Sequence, residues 1–180
     1  DSCKECNRKY ECTGENAAFC NHMKNILVAK YGAAEGCLKE SRIRHSMGVA
    51  NFLFAYAKSH DWSKEETEDL YLTGLLHDIG YIDNPKGTDH GRLGAEILKR
   101  NGLNAEICEL ISCHGRFIEN PSRKQALLWL ADLCLNRDGD YIGYQKRYES
   151  IKERYKNDPE RLFQVYRILE YLQIHFSEYR

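Results

Sequence analysis

The 180-residue sequence predicts an all-α fold, a helical bundle with a short cysteine-rich segment at its start. Three observations carry this expectation. Apolar residues mostly recur at the i, i+3, i+4 spacing of one helix face. No stretch alternates with period two between turn residues, as a half-buried strand would. The three prolines fall at predicted helix starts or in a predicted loop, never inside a periodic stretch.

The elements follow in order. Residues 1–22 read as an appended segment and 23–180 as the main domain, with its chemistry-bearing motifs between 42 and 137. The first well-patterned helix covers 23–31. Ile43, Met47, Ala50, Phe54 and Ala57 mark one face of a helix over 41–59. Ser63 followed by Glu66 is a capping box opening a helix that runs to about His77. Gly80, Asp83-Asn84-Pro85 and Lys86-Gly87 mark a loop. A helix follows over 91–100, stopped by Asn101-Gly102. Asn104 caps another, which carries Ile107, Leu110 and Ile111 toward His114. Pro121 fits the first turn of a helix over 126–136, apolar nearly all round and therefore central. Asp138-Gly139-Asp140 breaks it. Asp158-Pro159 begins the last helix, with Leu162, Val165, Ile168, Leu169 and Leu172 as its stripe. Tyrosines and alternating charges elsewhere in 141–180 read as solvated helix, and no partner is claimed from them.

Composition narrows the function. A net charge of −1 argues against an extended surface for nucleic acid or acidic lipid. A small anionic substrate still fits, because it needs only a few local cations. No run approaches the roughly 20 apolar residues of a membrane span. The first residues, starting at Asp1, are polar and cysteine-rich, unlike a signal peptide, although an upstream segment can precede them. With the chain's size and periodicity, eight cysteines fit a reducing cytoplasm better than an extracellular disulfide framework. Cys3, Cys6, Cys12 and Cys20 supply four thiols at spacings that suit tetrahedral zinc or an iron–sulfur cluster, with His22 able to replace one ligand. Reduced free thiols are the alternative. Cys37, Cys108, Cys113 and Cys134 fall on helical stretches and read as core residues.

The strongest chemical signal is His77-Asp78, in Gly74-Leu75-Leu76-His77-Asp78-Ile79-Gly80. Neighbouring side chains on a helix point about 100 degrees apart, but at its end both can turn to one centre. Imidazole suits zinc, iron and manganese, and a carboxylate can bridge two cations. His45 sits mid-helix on an otherwise apolar face, between Arg42 and Ser46. Asp132 lies between Leu130, Ala131 and Leu133, where a buried unpaired carboxylate would cost several kcal/mol. It therefore needs a cation or a hydrogen-bond partner. Taken singly, each of these also reads as a satisfied core histidine or an ordinary helix aspartate.

Together, the order His45, His77-Asp78, Asp132 resembles the signature of the HD superfamily of metal-dependent phosphohydrolases, over about 42–137. His90, in His90-Gly91-Arg92-Leu93-Gly94-Ala95, and His114, in Ser112-Cys113-His114-Gly115, are similar to two further histidines of its dinuclear members. Only His22, His60 and His175 stand outside the pattern. The resemblance implies a helical fold and two divalent transition-metal ions, iron, manganese or zinc. His45, His77, Asp78 and Asp132 would hold one ion, with Asp78 bridging to a second held by His90 and His114. His77 and Asp78 would be catalytic, and a water between the ions would attack phosphorus as hydroxide. Arg42, Arg92, Arg116, Arg123 and Lys124 are the candidate cations for the remaining phosphate charge.

Within the superfamily the pattern looks most like the bacterial symmetrical diadenosine tetraphosphatase group, which implies a dinucleoside polyphosphate. The HD-GYP cyclic dinucleotide phosphodiesterases share His-Asp-Ile-Gly, but this chain lacks their paired histidines and Gly-Tyr-Pro. Both groups usually carry a lysine where this chain has Tyr81. Two other readings stay open: a mononuclear nucleotidase using His45, His77, Asp78 and Asp132 alone, and a non-catalytic metal- or redox-sensing module.

Overall fold

Seven α-helices account for most of the described residues, and side-chain caps show why several begin where they do. The computed structural model describes residues 40–82, 84 and 87–180. The expected helix over 23–31 and the four N-terminal cysteines lie outside the described residues. Helix α1, Glu40–Ser59, pairs most extensively with α2, Lys64–Leu76. The predicted capping box opens α2: Glu66 N donates to Ser63 Oγ at 3.1 Å, and Ser63 N to Glu66 Oε2 at 3.2 Å. On α1 the buried stripe is Val49, Leu53 and Ala57, with Ala50 on Tyr71 of α2; Ile43, Met47 and Phe54 of the expected face are only half-buried.

Where a loop was expected from Gly80, the chain makes a buried 3-10 turn, Ile79–Ile82. Helix α3, His90–Arg100, packs on it, and α4, Ala105–Cys113, packs on α3. A Cβ on Gly80 would collide with the carbonyl oxygen of His90, so only glycine lets α3 begin this close to Asp78. Asn104 caps α4 by accepting from Ile107 N at 2.9 Å, and Gly102, at φ 84°, makes the turn between α3 and α4.

Helix α5, Arg123–Cys134, is central as predicted. Leu127, Leu128, Leu130 and Ala131 are fully buried and Trp129 nearly so. Its start differs from expectation, because Ser122 caps it and Pro121 lies outside the helix. It also ends two residues early. Leu135 turns extended and makes an isolated antiparallel bridge with Tyr141. The loop that follows rests on α1, where a Cβ on Gly48 would meet Gly139 O at 2.6 Å.

Helix α6, Tyr144–Arg154, falls in the stretch read only as solvated helix, without bounds of its own, and it buries Tyr144, Arg147 and Ile151. Helix α7, Pro159–His175, is capped by Asp158 and buries Ile168, Leu169 and Leu172. Two large apolar clusters result: one joins α1, α5, α6 and α7 with Leu70 of α2 and Leu110 of α4, the other the end of α2, the 3-10 turn, α3 and α4. Among the described residues there is no strand, and no helix is long and apolar enough to cross a membrane. Cys108, Cys113 and Cys134 are buried free thiols.

Candidate metal centre

Six side chains that lie up to 87 residues apart in sequence meet where the two apolar clusters adjoin. His45 comes from the middle of α1 and Asp132 from α5. His77 and Asp78 come from the end of α2, His90 from the first residue of α3, and His114 from the end of α4. His77 and His114 occupy the C-cap positions of their helices while still in helical conformation, which lets each imidazole turn off the helix end.

All four imidazoles are set in the same way. The Nδ1 atoms face backbone carbonyls: His45 on Asn136 at 2.9 Å, His77 on Gly74 at 2.7 Å, His90 on Gly87 at 3.0 Å and His114 on Ile111 at 2.6 Å. A carbonyl only accepts, so each Nδ1 carries a proton and each Nε2 turns toward the aspartates. This is the outer-shell arrangement that orients metal-binding histidines.

The Nε2 atoms converge. His45 Nε2 is 2.9 Å from Asp132 Oδ1, and His77 Nε2 is 3.7 Å from the same oxygen and 3.5 Å from Asp78 Oδ1. His90 and His114 Nε2 lie 3.4 and 3.6 Å from Asp78 Oδ1. Bonds of about 2.1 Å to one tetrahedral ion place its ligands roughly 3.4 Å apart, so these separations match a coordination shell. Two further details fit a cation. His77 Nε2 is buried without a hydrogen-bond partner. His90 and His114, each protonated at Nδ1, turn their Nε2 lone pairs on one another at 2.8 Å, a repulsion that a cation between them would relieve. Three overlapping groups each bring their ligand atoms within 4.8 Å of one another and could hold an ion: His45-His77-Asp78, His77-His114-Asp132 and Asp78-His90-His114.

Electrostatics agree. Burial alone would raise the Asp78 and Asp132 carboxyls. The surrounding histidines, and Arg42 at Asp78, overcome it and hold both well below the usual carboxylate range. His90 is pushed down to about 4 by burial and by His114. His45 and His77 resist burial and rise, through Asp132 and Asp78. Without a metal His45 therefore donates from both nitrogens, and an incoming cation would displace its Nε2 proton.

The proposed phosphate cations separate. Arg42 Nη1 donates to Asp78 Oδ2 at 2.8 Å, and its guanidinium lies 3.3 Å over the Tyr81 ring, which in turn stacks on His90 at 4.2 Å. Arg92 and Arg116 line a cavity of about 420 Å³ on the outer side of His90, where Arg92 is tied to Asp89 and Glu96. Lys124 is held by Glu106 in another cavity, shared with Arg123 and Trp62, whose lining includes none of the six.

A cavity of about 120 Å³ opens directly on the cluster, and Arg147, Arg154 and Arg161 line it beside Arg42. The sequence reading missed these three. The available signal was an arginine on the buried stripe of α6, where Tyr144, Arg147 and Ile151 follow at helical spacing with 1, 8 and 9% exposure.

Comparison with known proteins agrees with this geometry. The family model described as the HD domain matches residues 42–167, well over half of the chain. The match runs past the motifs at 42–137, through α6 and into α7. Ribonuclease Y of Fervidobacterium nodosum is 35% identical over 92 residues, 46% of this chain and 18% of that protein. An uncharacterized protein of Methanocaldococcus jannaschii is 31% identical over 77 residues, 42% of this chain and 45% of that protein. This chain thus spans less than half of either relative. No solved structure matches it significantly.

Proposed function

The chain belongs to the HD domain family, whose members bind divalent metals, and from that premise we propose a dinuclear phosphohydrolase that cleaves a phosphate ester or anhydride of a small nucleotide. The single observation that carries the reading is the common setting of His45, His77, His90 and His114. Each is anchored at Nδ1 on a carbonyl and aimed at Nε2 toward Asp78 or Asp132. A histidine placed only to fill core would have no reason to share that polarity three times over.

When bound, two divalent cations supply a water acidic enough to act as hydroxide near neutral pH and neutralise charge on the phosphoryl oxygens. The protein's own contribution is placement. Asp78 Oδ1 stands within 3.6 Å of His77, His90 and His114, so one oxygen faces imidazoles of both halves of the centre, while Oδ2 accepts from Arg42. The depressed Asp78 and Asp132 carboxyls remain anionic at any working pH. Arg42, braced by Tyr81, offers its remaining N–H groups to phosphate oxygens. Ribonuclease Y is, by its name, an enzyme that cleaves RNA, whose backbone bond is a phosphate ester, and this supports the bond class rather than the substrate.

The test is product analysis of a nucleotide panel incubated anaerobically with manganese or iron. Dinucleoside polyphosphates, cyclic dinucleotides and mononucleotides are each run beside Asp78→Asn. The expected result is turnover by the wild type that falls about a thousandfold in the variant, since the residue that both ions would share is lost. Failure of every panel member, with metal shown to be bound, would overturn the hydrolase reading in favour of a sensing module.

A further inference from the structure

We infer that Arg147, supported by Arg154 and Arg161, forms an anion subsite for a second phosphoryl group beside the one at the His/Asp cluster. The substrate class is therefore an oligophosphate rather than a singly charged phosphodiester. The inference rests on the hydrolase reading for where the reacting phosphate lies, but its binding test does not depend on turnover.

Arg147 is the least expected charge in the molecule. It stands on the core-facing stripe of α6, 8% exposed, with its Nε buried and without a hydrogen-bond partner. Among the described residues no carboxylate lies within ion-pair distance of it, although Asp132 and Asp78 act on it through space. A guanidinium buried without a partner at Nε is unfavourable, so the fold retains it at the expense of stability. Its side chain lines the cavity that opens on His45 and Asp132.

The other two arginines of this wall are braced rather than free. Arg161 Nη2 donates to Gly87 O at 2.7 Å, and its guanidinium lies 4.3 Å over the Tyr155 ring. Arg154 lies 5.8 Å over the same ring and meets Ser150 Oγ at 3.5 Å. Four arginines thus line this cavity, with Arg42, against two carboxylates, Asp78 and Asp132. Bound divalent ions would only add to the positive excess. A phosphodiester brings one negative charge per phosphorus, which the cluster and Arg42 already answer. A chain of phosphates brings the further charge that Arg147 lacks, in the oxygen geometry its planar fork matches.

The test is equilibrium binding to the full chain with manganese in excess over every probe, so that chelation does not strip the protein. The probes are orthophosphate, dimethyl phosphate and inorganic imidodiphosphate, which resists hydrolysis. The wild type should bind imidodiphosphate on the order of tenfold more tightly than either single phosphate, the value of one charge-assisted contact. Arg147→Met should erase that preference while leaving orthophosphate affinity nearly unchanged, and should melt no lower than wild type in anion-free buffer. Arg154→Ala, on the exposed side of the wall, should lose part of the preference, and it carries the test if Arg147→Met does not fold. Equal affinity of the wild type for all three probes would overturn the subsite, as would a preference that survives both substitutions. An Arg147-dependent preference without nucleotide turnover would sink the hydrolase reading alone; turnover with no such preference would sink only the subsite.

Discussion

The two halves of the candidate metal centre differ in what holds them when no cation is present. In the half around Asp132, the carboxylate accepts from His45 at 2.9 Å, so a proton stands where a metal would and the pair is internally satisfied. In the half around Asp78, His90 and His114 present Nε2 to one another at 2.8 Å, and Asp78 is too distant to hydrogen-bond either. That half keeps its shape through backbone carbonyls at Nδ1 and through Tyr81 stacked on His90. The first half is a hydrogen-bonded pair that a cation must compete with. The second is a preorganised set of lone pairs that a cation relieves. Ligand geometry alone would rank them alike; the protonation each one needs separates them.

The largest effect should come from deleting the second half. His90→Ala and His114→Ala are each expected to lower bound metal from about two ions to about one per chain. Turnover should fall on the order of a thousandfold, as for loss of a direct ligand. Elemental analysis beside the nucleotide assay checks both. Two ions retained in both variants would dissolve the distinction between the halves, and full activity with one ion would favour the mononuclear alternative.

Acid provides a second, smaller test on metal-free protein. His90 takes up a proton in the folded state only near pH 4, whereas in the unfolded chain it does so near the ordinary 6.5. Protons therefore favour unfolding, and this residue's share of stability is lost as pH falls from about 6.5 to about 4. His45 and His77, whose values are raised, act in the opposite sense, so the informative quantity is the difference between wild type and His90→Asn. Denaturant titrations across that window should show the variant losing less stability by up to about 3 kcal/mol. Parallel acid limbs would mean that His90 is not held neutral.

The smallest effect sharpens the role of the stack. Tyr81→Leu removes the ring that braces both His90 and Arg42 and should cost about 1–2 kcal/mol in a chemical melt. It should also weaken metal binding in the Asp78 half more than in the Asp132 half. An equal loss in both would assign Tyr81 to general packing.

Much of the fold and the six-residue cluster was legible because local chemistry announces itself. The Ser63–Glu66 and Asn104–Ile107 caps formed as their side chains dictate. An aspartate inside the apolar run of α5 and a histidine mid-helix in α1 were conspicuous because neither belongs in a core unless something pairs with it. Gly80 misled for the opposite reason. Glycine signals both a loop and a close approach, and only α3 resting on it reveals which. Helix α6 was read only as solvated helix because its buried stripe contains Arg147 among tyrosines and charges, so the apolar pattern that marks a core-facing side is broken at that position.

The sequence by itself determined the helical class, most helix starts and the identity of the histidines and aspartates of the centre, since these depend on spacing within one turn and on residue chemistry. Only the tertiary structure decided which cations face that centre. Arg42 and Arg147 stand on it, while Lys124 is tied to Glu106 in a different cavity and Arg92 is engaged by Asp89 and Glu96. A long flexible cation can reach in many directions from a given position in the chain. Its target is therefore set by which helices pack beside it and which carboxylates they bring, and neither is written in local sequence.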